Sequence, residues 1–181
     1  GLLHCAEQLQ TKTDGRRPFL YMLSPKGRNL MIEELGYESG EIDWQPSYND
    51  VTWPYLRHQL AINDVYVAIA LDVGRIGWTL DKWVDDRILR QMHTERVLEP
   101  ASGLEVAVVP DAYFVLSGRQ GSPVLQFFLE LDRATMTVAA SSRRTKSWQD
   151  KIRAYQVYFD STLVTRRYGT DRIRVLAVTS G

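Results

Sequence analysis

Apolar positions along the chain change period several times, and each change marks an element. Leu2-Leu3-His4 and Phe19–Leu23 are short apolar runs on either side of a polar stretch that contains Thr13-Asp14-Gly15-Arg16-Arg17-Pro18. They predict a hairpin with a basic loop. Ser24 and Pro25 then supply an N-cap and a first-turn proline for a helix to about Leu35, and Gly36 stops it. Residues 37–54 are polar and rich in turn formers, which predicts an ordered connector with little regular structure. Beyond it Leu56, Leu60, Ala61, Val65, Ala68, Ile69 and Leu71 form a broad helical stripe, so a nearly buried helix is expected from Pro54 to about Val73.

The second half reads mostly as strands. A strand is expected from Trp78 to about Trp83, Asp85–Arg90 continues it as strand edge or short helix, and the residues up to Ser102 read as loop. Two β-rich runs follow, Val106–Leu116 and Val124–Asp132, joined by a turn over Gly118–Ser122. Trp148, Ile152, Tyr155 and Phe159 recur on one face of a helix from about Ser141 to Phe159, and Lys151 lies beside that stripe. Arg172–Thr179 alternates and then turns wholly apolar, as an interior strand does. The order helix, strand, strand, strand, helix, strand predicts an α/β domain of two or three layers, a meander with a last strand returning beside it.

Carboxylates interrupt the two central strands. Asp111, Glu130 and Asp132 sit in otherwise apolar runs, where an ionised group loses hydration unless a cation or several N–H donors replace the water. Because strand side chains alternate, Glu130 and Asp132 must project from one face and Leu131 from the other. If the strands pair as a hairpin, Asp111 joins them. Three hard oxygen ligands at a strand edge suit Mg²⁺ or Mn²⁺; salt bridges to Arg133, Arg143 or Arg144 are the alternative. His58 and Asn63 are too far apart around their helix to share an ion, and His58 reads as a buried helix histidine bonded to the sheet, with a catalytic base as the alternative. His4 and His93 have no partner pattern. The five tryptophans, Trp44, Trp53, Trp78, Trp83 and Trp148, read as packing residues.

Composition narrows the classes. A chain of 181 residues, 44% hydrophobic, can bury one good core. Cys5 is the single cysteine, which excludes an internal disulfide and a cysteine zinc site, and a reducing cytoplasm fits. No apolar run approaches the ~20 residues of a membrane span. The zero net charge hides an asymmetry: residues 1–132 hold 12 Lys and Arg against 19 Asp and Glu, whereas residues 133–181 hold 10 against 3. A basic C-terminal quarter either neutralises the acidic body or faces phosphates.

Two resemblances follow from these motifs. Pro110-Asp111 on one strand and Glu130-Leu131-Asp132 on the next, within the α-β-β-β-α-β order, resemble the restriction-endonuclease-like PD-(D/E)xK superfamily. That resemblance implies an aspartate and a glutamate binding magnesium and a lysine readying the attacking water. Asp132 stands where the lysine belongs; Lys151 on the following helix is the candidate replacement, or else an ordinary snorkelling lysine. Leu56–Asp64, Val109–Tyr113, Phe127–Thr135, Lys151–Tyr155 and Arg174–Thr179, taken in order, resemble the replication-relaxation family of plasmids and mobile elements. Members usually begin with a winged helix, and Gly1–Leu3, the basic hairpin and Tyr21–Arg28 resemble its wing and the helix after it, with the recognition helix expected upstream of Gly1.

The resulting expectation has a partial winged-helix segment at residues 1–36, a connector at 37–54 and a restriction-endonuclease-like α/β domain with a mixed central sheet at 55–181. The implied function is that of a cytoplasmic DNA-associated protein of plasmid or mobile-element replication and relaxation, its nuclease-like domain inactive or weakly active. Double-stranded DNA is the expected partner, through Arg16 and Arg17 of the wing and Arg143, Arg144 and Lys146. Two rival readings are a Mg²⁺- or Mn²⁺-dependent deoxyribonuclease with Asp111, Glu130, Asp132 and Lys151 as its catalytic set, and a docking module for a relaxase or replication initiator.

Overall fold

The computed structural model describes residues 1–8, 18–42, 44–50, 52–93, 96–100, 102–103, 105–133 and 147–179, which fall into two compact units, Gly1–Arg57 and His58–Gly181. In the first, β1 (Leu3–Ala6) pairs antiparallel with β2 (Leu20–Leu23), Leu3 opposite Leu23 and Ala6 opposite Leu20. Helix α1 (Pro25–Glu33) follows at once. The Ser24 hydroxyl caps it by accepting from the Gly27 N–H at 3.1 Å, with Pro25 in the first turn. Gly27 is required by proximity, since a Cβ there would lie 2.2 Å from the Leu2 carbonyl oxygen. After α1, Gly36 adopts φ 75°, the left-handed conformation that ends a helix cheaply only at glycine. The connector contains one 3₁₀ turn, Pro46–Asn49. The hairpin, the cap and the stop match the sequence expectation; residues 9–17, on which the expected basic loop with Arg16 and Arg17 falls, lie outside the described residues.

Helix α2 (Trp53–Arg75) runs into the second unit, which is built on a four-stranded mixed sheet. Strands β3 (Thr79–Asp85), β6 (Ala112–Ser117) and β7 (Leu125–Asp132) form the antiparallel meander, and β8 (Ile173–Thr179) returns parallel to β7. Side chains alternate as the pleat requires. Ala112, Phe114, Leu129 and Leu131 pack with Ile62 of α2 on one face. On the other, Tyr113 and Phe128 pack with Tyr155 and Tyr158 of α4 (Trp148–Asp160), Leu89 of α3 (Asp86–Met92) and Val164 of α5 (Leu163–Tyr168). The sheet therefore lies between two helical layers.

Several expectations need correction. The run from Val106 to Leu116 is not one strand. Glu105–Val106 is a two-residue strand, β5, paired with β4 (Val97–Leu98) in the stretch expected to be loop, and Asp111 stands just ahead of β6. Pro110, fully buried, explains the break, because it has no N–H to give a ladder. For Asp85–Arg90, expected as strand edge or short helix, the helix is the alternative found: α3 starts at Asp86, and the Asp85 carboxylate caps it by accepting from Ile88 N–H at 3.1 Å. Helix α2 is less buried than its stripe suggested, with Val67 and Leu71 exposed. Helix α4 begins at Trp148, and residues 141–146, with Arg143, Arg144 and Lys146, lie outside the described residues. Its inward face carries Lys151, Tyr155 and Tyr158, while Ile152 is 54% exposed. Among the described residues no helix is long and apolar enough to cross a membrane.

Candidate functional site

A group of charged side chains of the second unit, Asp111, Glu130 and Asp132 among them, gathers at one end of the sheet, where β7 finishes, β6 starts and β3 passes into α3. Asp111 is joined to β7 by its own N–H, which donates to the Leu129 carbonyl at 2.9 Å. The antiparallel register then sets it opposite Glu130, since Ala112 pairs with Leu129. Its carboxylate is engaged at both oxygens: Oδ2 accepts from the Leu131 N–H at 2.8 Å, and Oδ1 lies 3.0 Å from His58 Nε2. A carboxylate only accepts, so the imidazole carries its proton on Nε2.

Glu130 is 1% exposed, which for a carboxylate demands partners. Both of its oxygens have one. The Lys151 ammonium donates to Oε2 and the Tyr155 hydroxyl to Oε1. These donors are four residues apart on α4 and hence on one face. A capping box fixes where that face points: Ser147 Oγ accepts from the Asp150 N–H at 3.2 Å, and the Asp150 carboxylate accepts from the Ser147 N–H at 3.1 Å. Asp132, on the same side of β7, accepts from Trp148 Nε1 at 3.0 Å. Burial pushes the Glu130 pKa up, with the Asp111 charge adding to it, while Lys151 and Tyr155 oppose the rise. Burial and the Glu130 carboxylate likewise push the Tyr155 hydroxyl up, so it keeps the proton it donates.

The sequence pattern placed Asp111, Glu130 and Asp132 on neighbouring strands, and Lys151 on the following helix. The structure brings Lys151 onto Glu130 and ties Asp132 to Trp148. Among the described residues no three His, Cys, Asp or Glu side chains group closely enough to hold a metal ion. Both oxygens of Asp111 and of Glu130, and one of Asp132, instead accept hydrogen bonds, from His58, Leu131, Lys151, Tyr155 and Trp148.

Other participants escaped the sequence reading. Asp86, 3% exposed at the start of α3, accepts from Gln59 Nε2 at 3.2 Å and from Arg90 Nε at 3.2 Å. His93 is buried with both ring nitrogens engaged. Nδ1 donates to the Val108 carbonyl at 2.7 Å, and Nε2 meets the Tyr168 hydroxyl. Its partners are 15 and 75 residues away, so no local pattern announces them. Tyr155 did carry a signal, its spacing of four from Lys151. A groove of about 650 Å³ lies against another face of α4, lined by Glu99, Gln149, Ile152, Arg153 and Gln156, and includes none of the acidic cluster.

His58 gives the site a measurable titration. Its hydrogen bond to Asp111 holds its pKa above the ordinary 6.5, against the opposing effect of burial; the Asp86 charge adds to the rise and Arg133 opposes it. A raised folded-state pKa contributes stability that is full below the unfolded value and is lost as pH climbs through the folded one. Urea unfolding at stepped pH should therefore show the native chain losing stability above pH 6.5. His58→Gln should flatten that part of the profile. An unchanged slope in the variant would mean that His58 is not the group responsible.

The architecture and site define a class: a mixed α/β domain with helices on both faces of its sheet and an ion-paired carboxylate–lysine cluster at one end. The sequence profile of the replication-relaxation family matches residues 1–172, and the chain belongs to that family. No curated protein and no solved structure matches it.

Proposed function

We propose that the chain is a DNA-associated component of plasmid or mobile-element replication and relaxation, in which the α/β unit keeps a restriction-endonuclease-like scaffold and has lost metal-dependent cleavage. Family membership supports the replication theme. Leaving aside α3, α5 and the two-residue strands β4 and β5, the sheet strands and flanking helices run α2-β3-β6-β7-α4-β8 with Asp111 and Glu130 at adjacent strand ends, an order that supports the scaffold. The observation that carries the loss of cleavage is the pairing of Glu130. Phosphodiester hydrolysis on this plan needs a cation on the carboxylates and a lysine free to ready water; here Lys151 is bound to the same carboxylate the cation would need. Residues 1–36 act in this reading as the wing and following helix of a DNA-reading segment, with Arg16 and Arg17 tracking phosphates.

Supercoiled plasmid incubated with the chain and Mg²⁺ or Mn²⁺ is expected to stay supercoiled while being retarded in a gel. Metal-dependent nicking that disappears in both Asp111→Asn and Lys151→Ala would install the deoxyribonuclease reading instead. Retention of a relaxase or initiator without any DNA retardation would favour the docking module.

A further inference from the structure

We infer that Lys151 is the built-in counter-ion of the acidic end of the sheet, supplying from within the chain the positive charge that its carboxylates would otherwise draw from a divalent cation. The inference rests on the reading that this cluster is not a working metal centre. Glu130 is 1% exposed and holds one donor on each oxygen, both from the inward face of α4. A carboxylate buried to that degree needs a positive charge beside it, and Lys151 forms its ion pair.

The position of the lysine is the second observation. Lys151 belongs to the first turns of α4, three residues after Trp148, where the helix dipole and outward N–H groups disfavour a cation. A lysine serving only solubility gains nothing there; one that neutralises Glu130 does. The third is its surroundings. Lys151 Nζ lies 5.4 Å from the centroid of the Trp148 ring, and the same indole donates to Asp132 at 3.0 Å. One ammonium and the ring beneath it thus connect Glu130 with Asp132, and the Asp111 charge acts on Glu130 from the neighbouring strand. A tethered charge cannot dissociate, so the fold does not depend on the supply of free divalent ions.

The test compares thermal unfolding of the native chain, Lys151→Ala and Lys151→Ala/Glu130→Gln, each in EDTA and in Mn²⁺. The native midpoint is expected to be the same in both. Lys151→Ala should melt lower in EDTA and recover about 5–10 °C at a hundredfold excess of Mn²⁺ over its Kd. The double variant, with its buried negative charge removed, should not respond. Lys151→Met keeps the apolar stem in place and carries the same comparison if the alanine variant does not fold. A native midpoint that rises with Mn²⁺ as far as the variant's would overturn the assignment. So would indifference to Mn²⁺ in Lys151→Met, or in Lys151→Ala where that variant folds. Plasmid cleavage measured alongside separates the two ideas: cutting by the native chain defeats the inactive-scaffold reading, whereas an indifferent variant with no cutting defeats the counter-ion assignment alone.

Discussion

Phe128→Ala is expected to destabilise the α/β unit by about 3–5 kcal/mol, the usual cost of emptying an aromatic site that cannot collapse. Phe128 is 0% exposed on β7, and the rings of His93, Tyr113, Tyr155, Tyr158, Phe159 and Tyr168 surround it at centroid distances of 5.1–6.4 Å. These rings come from four helices, strands or connections, so the vacancy loosens the seat of α4 and α5 together. Chemical denaturation should show the midpoint falling with little change in slope. Phe128→Leu, which fills most of the volume, should cost far less. A loss below about 1 kcal/mol for the alanine variant would show that this cluster relaxes and is not the keystone of the core.

The second large effect concerns DNA. Since residues 133–181 carry 10 basic against 3 acidic side chains, affinity for duplex DNA should fall steeply with salt. A protein making about 6–10 phosphate contacts loses roughly 10³–10⁵ in affinity between 50 and 200 mM salt. Neutralising Arg143, Arg144 and Lys146 together should weaken binding across unrelated sequences and reduce the slope of log K against log salt by about 2–3, near 0.9 for each phosphate released. Replacing Arg16 and Arg17 should add a separate, smaller reduction. Fluorescence anisotropy at stepped salt measures both. A salt-independent affinity would point to a protein partner for the basic segment.

How far the sequence could be read depended on whether the determining contact was local. Ser24 and Pro25 dictate the start of α1 through a bond spanning three residues, and the alternation through Glu130, Leu131 and Asp132 assigns faces with no knowledge of the partner strand. The acidic cluster was legible for the same reason, as charge inside β-rich runs. Its chemistry was not. Whether Lys151 snorkels or pairs turns on the rotation of α4, which the Ser147 capping box sets, and a stripe drawn through Ile152 rotates that helix by most of a quarter-turn in the wrong sense. Strands β4 and β5, two residues each, are too short to show a period, and α5 has six residues. His93 takes its meaning from Val108 and Tyr168, which reach it only in three dimensions.

The parallel pairing of β7 with β8 has a consequence for how the chain is made. Strand β7 ends at Asp132, and its neighbour begins only at Ile173. A nascent chain that has just exposed β7 can zip it to β6 across a short turn, yet the other edge of β7 stays open until α4, α5 and finally the last seven-residue strand have left the ribosome. Non-local parallel closure of this kind is slow, and an unpaired apolar edge invites association with other chains meanwhile. Glu130 meets Lys151 across only 21 residues of sequence, so that contact is able to form before β8 arrives and to hold α4 over the exposed face of β7. The ion pair at the candidate site thus ties α4 to β7 over a shorter stretch of chain than the one that separates β7 from β8.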